Sequence, residues 1–199
     1  VRAIFERLDP ELAVFGVEAL ETTLSRAVSQ PRFTMQLLGF FGGLAANPIH
    51  ILAKALADLH DEDGHVTIRG FYDGVEETPP EVLKSWEALN CTAESMLGPI
   101  GLSEPAGEKG RSPLELVWAR PTAEVNGISG GYAGQGFKTV IASEASAKVS
   151  FRLVHKQDPD KIRAAFRDFV RARVPSDCSV TFSPHGGSPA IQLAHDSPL

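Results

Sequence analysis

Apolar and polar positions alternate most cleanly between residues 139 and 154. Thr139-Val140-Ile141 is one apolar run; in a second, Ala147, Val149, Phe151 and Leu153 are interleaved with Lys148, Ser150, Arg152 and Val154. Period-two spacing predicts strand, one face inward and one outward, over 137–142 and on through 145–154. Elsewhere the period is helical. Ile49, Leu52, Ala53, Leu56 and Leu59 share a face, which predicts a helix over 47–60 packed on a sheet, with Asn47-Pro48 as its start. Ile162, Ala165, Phe166, Phe169 and Val170 predict a second helix over 159–173, capped by Asp158, opened by Pro159 and stopped before Pro175. Further strands are expected at 123–128 and 178–183, and a first one within 17–34, where Val17 to Leu24 fits helix as well as strand. The order predicts an α+β fold: a four-stranded antiparallel sheet with two helices on one face, of the ferredoxin-like split βαβ type.

Between the first helix and the strand at 123 the pattern loosens. Val66-Thr67-Ile68 reads as a short strand, and Pro79-Pro80-Glu81 opens a helix with Val82, Trp86 and Leu89 as its stripe. Residues 92–112 carry Gly98, Pro99, Gly101, Pro105, Gly107 and Gly110, a loop-rich tract, and Ser112 caps a short helix. An insertion at about 61–120 is therefore expected.

Composition narrows the classes. With 43% apolar residues in 199, there is enough for a core. A net charge of −6 leaves no basic footprint for nucleic acid, and Arg163, Arg167, Arg171 and Arg173 read as the wet face of a helix. No apolar run approaches the roughly 20 residues needed to span a bilayer. Cys91 and Cys178 are isolated and lack metal spacing, so reduced thiols in a cytoplasmic protein are expected. The chain opens on Val1-Arg2-Ala3 without a secretory pattern and reads as a fragment or trimmed segment.

Candidate chemistry is sparse. Arg152 stands on the outward face of a rigid strand, where a planar guanidinium could clamp a carboxylate; a solvated strand arginine is the plain alternative. His60, Asp61, Asp63 and His65 are donor types, but they lie around Gly64 as a turn and lack the twelve-residue calcium pattern. His50, His155, His185 and His195 are far apart, and His50 is expected on a partly buried helix, in a structural role. Gly131 to Gly136 precedes a strand instead of a helix, so the dipole that phosphate loops use is missing. No metal site is expected in this chain.

Several stretches carry a resemblance. Asn126 to Ile141 reads N-G-I-x-G-G-Y-x-G-x-G-x-K-T-V-I, and Ala145 to Val154 reads A-x-A-K-x-S-x-R-L-V. Gly39-Phe40-Phe41-Gly42-Gly43, Arg120-Pro121-Thr122 and His185 to Ala190 fit the same pattern. Together they resemble the lid, or dimerisation, domain of the di-zinc aminoacylase, carboxypeptidase and carnosinase family of metallopeptidases, in its dipeptidase branch. The resemblance spans roughly 39–195. It implies a lid over 39–190 with the insertion at about 61–120, a divergent segment over 1–38, and an exit over 191–199 toward a catalytic domain outside this chain. In the family that other domain holds the zinc and the glutamate that activates water, so this chain is expected to hold no cofactor and to be catalytically incomplete.

By position, the resemblance assigns Arg152 to the terminal carboxylate of a dipeptide-like substrate and Thr139 to the same end, with Asn126 and Gly127 shaping the adjoining turn. It also implies a homodimer. The family's lid histidine, which stabilises the oxyanion in the partner's site, falls on Leu37, which has no donor; the neighbouring serine falls on Leu38. Ala142 and His155 stand where the family has prolines. The match breaks off above Gly39, which points either to a shifted reading frame in the source gene or to divergence; resequencing separates the two. The alternative function is a non-catalytic dimerisation or small-ligand-binding module derived from such a peptidase.

Overall fold

The computed structural model describes residues 41–191. These divide into two units: Pro48–Gly130 with 144–191, and Gly131–Ser143 with residues up to Asn47. The expected strand within 17–34, together with Leu37 and Leu38, lies outside the described residues.

In the larger unit the elements are α1 (Pro48–Ala57), α2 (Pro80–Glu87), α3 (Ala93–Leu97), a 3-10 turn (Gly98–Ile100), α4 (Pro113–Trp118), β1 (Thr122–Gly130), β2 (Ala145–Arg152) and α5 (Pro159–Arg171). The class is α+β, as the pattern predicts. β1 and β2 pair antiparallel, and the sheet has two strands among the described residues. β2 follows its sequence closely: Ala145, Ala147, Val149 and Phe151 are half-buried, while Ser146, Lys148, Ser150 and Arg152 are exposed.

The inward face meets one apolar cluster. Ala123, Val149 and Phe151 of the sheet pack with Leu56 of α1 and with Ile162, Ala165, Phe166, Phe169 and Val170 of α5. The predicted stripe of α5 is thus its buried face, and both helices cover the same side of the sheet. Leu59, Val66, Ile68 and Phe71 fill the centre, with Phe71 fully buried. Phe71 lies 5.9 Å from the Phe151 ring, and Phe151 lies 5.2 Å from Phe166. Gln157 staples this centre to the exit of β2. Its Oε1 accepts from Val154 N–H at 2.8 Å and its Nε2 donates to Phe71 C=O, so both buried backbone groups are satisfied.

Local signals account for the helix starts. Asp158 accepts from the N–H groups of Asp160 and Lys161 ahead of α5, with Pro159 at the first position. Ser112 and Glu115 form a reciprocal capping box at α4.

Several expectations are corrected. Residues 137–142 carry no ladder bonds and are not a strand. Val66 makes only an isolated bridge with His60, so 66–68 is not a strand either. Residues 178–183 are also outside any sheet. Phe182 packs instead on α5, 6.4 Å from the Phe166 ring and beneath the guanidinium groups of Arg167 and Arg171 at 5.8 and 5.5 Å. The expected wet face of arginines is therefore partly occupied. Arg173 also bonds Asp58 at 2.9 Å and lies over the Phe169 ring. A strand pattern needs a neighbour with free ladder groups; β1 and β2 satisfy each other on their shared edge. α1 is partly buried, with Ala55 and Leu56 on its inward side, and His50 is exposed on it.

Of the expected insertion at about 61–120, Val66, Ile68 and Phe71 belong to the core, and the part beyond residue 77 is held differently. No residue from 78 to 106 is buried. Its returning limb enters a cluster of charges: Glu108 and Arg120 are both buried and joined at 2.8 Å, and Arg120 lies over the Tyr72 ring at 5.4 Å. Arg111 meets Glu77 through two bonds, at 2.5 and 2.8 Å, and reaches Glu115 at 3.4 Å. That fork holds the Glu77 carboxyl below the usual carboxylate range. Burial, with the Glu108 charge beside it, pushes the Tyr72 phenol up to about 12. Lys109 binds the Asp61–His65 turn, its N–H donating to Asp63 C=O at 2.8 Å. A Cβ at Gly64 would run into the Gly107 carbonyl, and Gly64 has φ 80°, so only glycine suits this contact.

Candidate functional site: the outward face of the hairpin

The outward face of β1 and β2 is built by the ladder. Thr122 stands opposite Arg152, Glu124 opposite Ser150, Gly127 opposite Lys148 and Ser129 opposite Ser146. Arg152 is exposed and has no hydrogen bond or ion pair among the described residues, so its planar set of donors is open. The strand that carries it is pinned on its other face by Phe151 and Val149 in the core. A rigid base and an open guanidinium are what recognition of a planar carboxylate needs.

Asn126 has a role that alternation alone did not reveal. Val125 pairs Val149 and Gly127 pairs Lys148, so Asn126 is the extra residue of a β-bulge. Beyond it the alternation shifts: Ile128 and Gly130 fall opposite Ala147 and Ala145 on the inward side. An ideal Cβ at Gly130 would lie 3.3 Å from Ile49 of α1, so that end of the strand approaches the helix closely. The bulge is what leaves Gly127 on the outward face with Lys148.

Arg152 and Gly127 do not converge on one point. Arg152 sits at the Thr122 level and Gly127 at the Lys148 level. These levels are four positions apart along β2, roughly 13 Å along a strand, which is more than one carboxylate spans. Thr139 lies in the second unit, exposed, in chain with no regular structure. In that unit Lys138 Nζ stands 4.7 Å over the Tyr132 ring and Tyr132 O–H donates to Gln135 C=O at 2.9 Å. These contacts fold the glycine tract on itself, and no helix follows it.

Lys148 shares the outward face with Arg152 and was not singled out from sequence. Its place in the alternation put it on that face; the bulge, invisible in the spacing, places Gly127 opposite it. Ser150 stands between the two cations, so the face carries two positive charges and a hydroxyl along one strand.

Other candidates resolve structurally. Asp61 accepts from the N–H groups of Asp63 and His65 at 2.9 and 2.8 Å, and the His65 bond above all holds its carboxyl below the usual range. This is an Asx turn. Among the described residues no group of three His, Cys, Asp or Glu side chains could hold a metal ion. His195 lies outside them. A cleft of about 460 Å³ is lined by His155, Lys156, Asp158 and Asp160 among others. Its charges are already engaged: Asp158 caps α5, Asp160 pairs with Arg163, and Lys156 pairs with Glu76. His155 has φ 50°, a conformation closed to proline. Cys91 and Cys178 are unbridged, and among the described residues no helix is long and apolar enough to cross a membrane.

The described elements are thus a two-stranded sheet covered on one side by two helices, with an open strand arginine on the other side. Residues 36–178 match the peptidase dimerisation domain, and the chain belongs to that family, the dimerisation domains of the M20 metallopeptidases. It is 28% identical over 158 residues to the Cys-Gly metallodipeptidase DUG1 of Candida albicans, covering 79% of this chain and 31% of that protein. To the human Beta-Ala-His dipeptidase it is 29% identical over 116 residues, covering 58% and 23%. Among solved structures it is similar to the metallo-carboxypeptidase Sso-CP2 of Sulfolobus solfataricus, with TM-score 0.58, 32% identity, and 67% and 35% covered. Human carnosine dipeptidase 1 gives TM-score 0.60 at 25% identity, with 68% and 29% covered. The chain spans about a third of the length of these relatives.

Proposed function

We propose that this chain is the lid and dimerisation part of a zinc-dependent dipeptidase, and that it supplies substrate binding while a separate domain supplies the zinc site. The observation that carries this is Arg152: exposed, on a strand fixed by the core, with its donors open among the described residues. A free carboxylate at the end of a dipeptide-like substrate would take two parallel charge-assisted bonds from it. Lys148, with Gly127 and Asn126, stands at the other end of the same face and would meet a different part of the substrate. The assignment of Thr139 to the carboxylate end rests on the motif resemblance alone. The protein acts as a homodimer in the cytoplasm.

The test uses the parent enzyme. Arg152→Ala should raise KM for a free dipeptide by about 10- to 100-fold, the loss of a bond to a charged group. KM for the same dipeptide with an amidated C-terminus should move little. Equal losses on both substrates would remove Arg152 from the carboxylate site. The purified chain should hydrolyse no dipeptide with zinc added; activity there would refute the division of labour. Light scattering checks assembly, and a strict monomer at high concentration would sink the dimer.

A second reading rests on Leu37. Leucine cannot donate to an oxyanion, so a binding or assembly module without catalysis is the alternative. Open frames encoding H-x-D and E-E motifs on both sides of the gene segment would favour the enzyme.

A further inference from the structure

We propose that residues 78–106 form a strap that lifts and reseats as one unit, clasped at its base by the Arg111–Glu77 fork in place of an apolar core. The first observation is burial. α1, the chain from Leu59 to Phe71, α4 and β1 each bury side chains, and β2 packs the half-buried Val149 and Phe151 on the core cluster, whereas this stretch of α2, α3 and the 3-10 turn buries none and adds no residue to that cluster. Its short helices are stabilised from within, as by the reciprocal Thr92–Ser95 capping box. A segment without buried apolar contact belongs to the low end of local stability.

The second observation is where the protein grips it. The outgoing limb is held at Gly74, whose C=O accepts from Lys156 N–H at 3.1 Å, and at Glu76, which pairs with Lys156. The returning limb is held from Gly107 onward, through Gly64, the Glu108–Arg120 pair and the Lys109–Asp63 bonds. Between the limbs, Arg111 closes the mouth on Glu77. Glu77 is largely exposed, so water and salt screen this fork far more than the buried Glu108–Arg120 pair. The returning hinge is therefore firm at the buried Glu108–Arg120 pair, the exposed Lys156–Glu76 and Lys109–Asp63 pairs are backed by backbone bonds beside them, and the clasp across the mouth rests on side chains alone. That combination makes opening a movement of the strap alone.

The third observation supplies a reporter. The chain has two tryptophans, and they meet: the Trp86 ring on the strap stands 5.3 Å from the Trp118 ring on α4, nearly perpendicular to it. α4 stays with the body through buried Leu114 and Glu115. Lifting the strap separates the rings, so their coupled near-ultraviolet dichroism and their emission change together.

Glu77→Gln tests the clasp with little disturbance, since Glu77 reaches only the Arg111 and Arg120 guanidinium groups among the ion pairs. The proposal expects amides across 78–106 to exchange about fivefold faster, together, in Glu77→Gln, with the tryptophan couplet reduced. Raising salt on the unmodified chain should do the same. Amides of 122–130 and 145–152 should keep their protection. If Glu77→Gln and high salt both leave 78–106 and the couplet unchanged, the clasp is refuted. Equal acceleration in the sheet overturns the strap, because the whole unit is then opening. If Glu77→Gln does not fold, the salt series on the unmodified chain decides by the same two outcomes.

Discussion

The body and the insertion of this chain are held by different physics. Around Phe71 the sheet, α1 and α5 share one dry cluster, in which each side chain removes apolar surface from water. From 78 to 106 nothing is buried, and the insertion is joined to the body through ion pairs, backbone bonds and one tryptophan contact. The contrast separates two tasks. A core makes a strand rigid enough to hold Arg152 in one place. Charges at a loop base allow a segment to be kept close without fixing its interior.

The comparison can be broken most severely at its centre. Phe71→Ala should destabilise the chain by about 3–5 kcal/mol, because the ring is fully buried against Tyr72 and Phe151. Chemical denaturation measures it; a loss below about 1 kcal/mol would mean the cluster is not the core. Glu108→Ala comes next, at about 2–3 kcal/mol, since it leaves the buried Arg120 charge with only the longer contact to Glu77 at 3.5 Å. Gln157→Ala should cost about 2 kcal/mol by stranding Val154 N–H and Phe71 C=O. At the small end, Leu89→Ala on the exposed strap should stay within about 0.5 kcal/mol; a loss matching that of Phe71→Ala would erase the distinction between the regions.

Alkaline titration sharpens the border between them. Tyr72 has its folded pKa raised from 10.0 to about 12, chiefly by burial. A raised folded value means its contribution is complete below pH 10 and is lost as pH rises from there through about 12. Phenolate absorbance should show one late-titrating tyrosine that disappears in Tyr72→Phe, and stability should fall over the same interval. An unchanged titration curve in Tyr72→Phe would contradict the burial seen here.

Much of this was legible from short-range rules. The caps at Ser112 and Asp158, the buried face of α5 and the alternation of β2 depend on neighbours within a few residues, and all appear as read. The candidate site was legible in part: spacing put Arg152 outward, and its exposure agrees. The bulge at Asn126 was not legible, because a bulge is defined by the partner strand. Nor was the destination of Ser179 to Phe182, whose strand-like pattern is met by rings and guanidinium groups on α5.

Sequence alone therefore determined the class of the fold, the starts of α1, α2, α4 and α5, the face on which Arg152 stands and the family to which the chain belongs; α3, within the tract read as loop, was missed. These rest on periodicity, capping and motif spacing, which act locally. Tertiary structure alone decided that the sheet of the described chain has two strands, that Glu108 and Arg120 are buried together, and that Arg152 and Gly127 lie at separate levels of one face. Each of these depends on which distant residue supplies the missing partner, and burial or pairing between remote segments leaves no periodic trace in the chain.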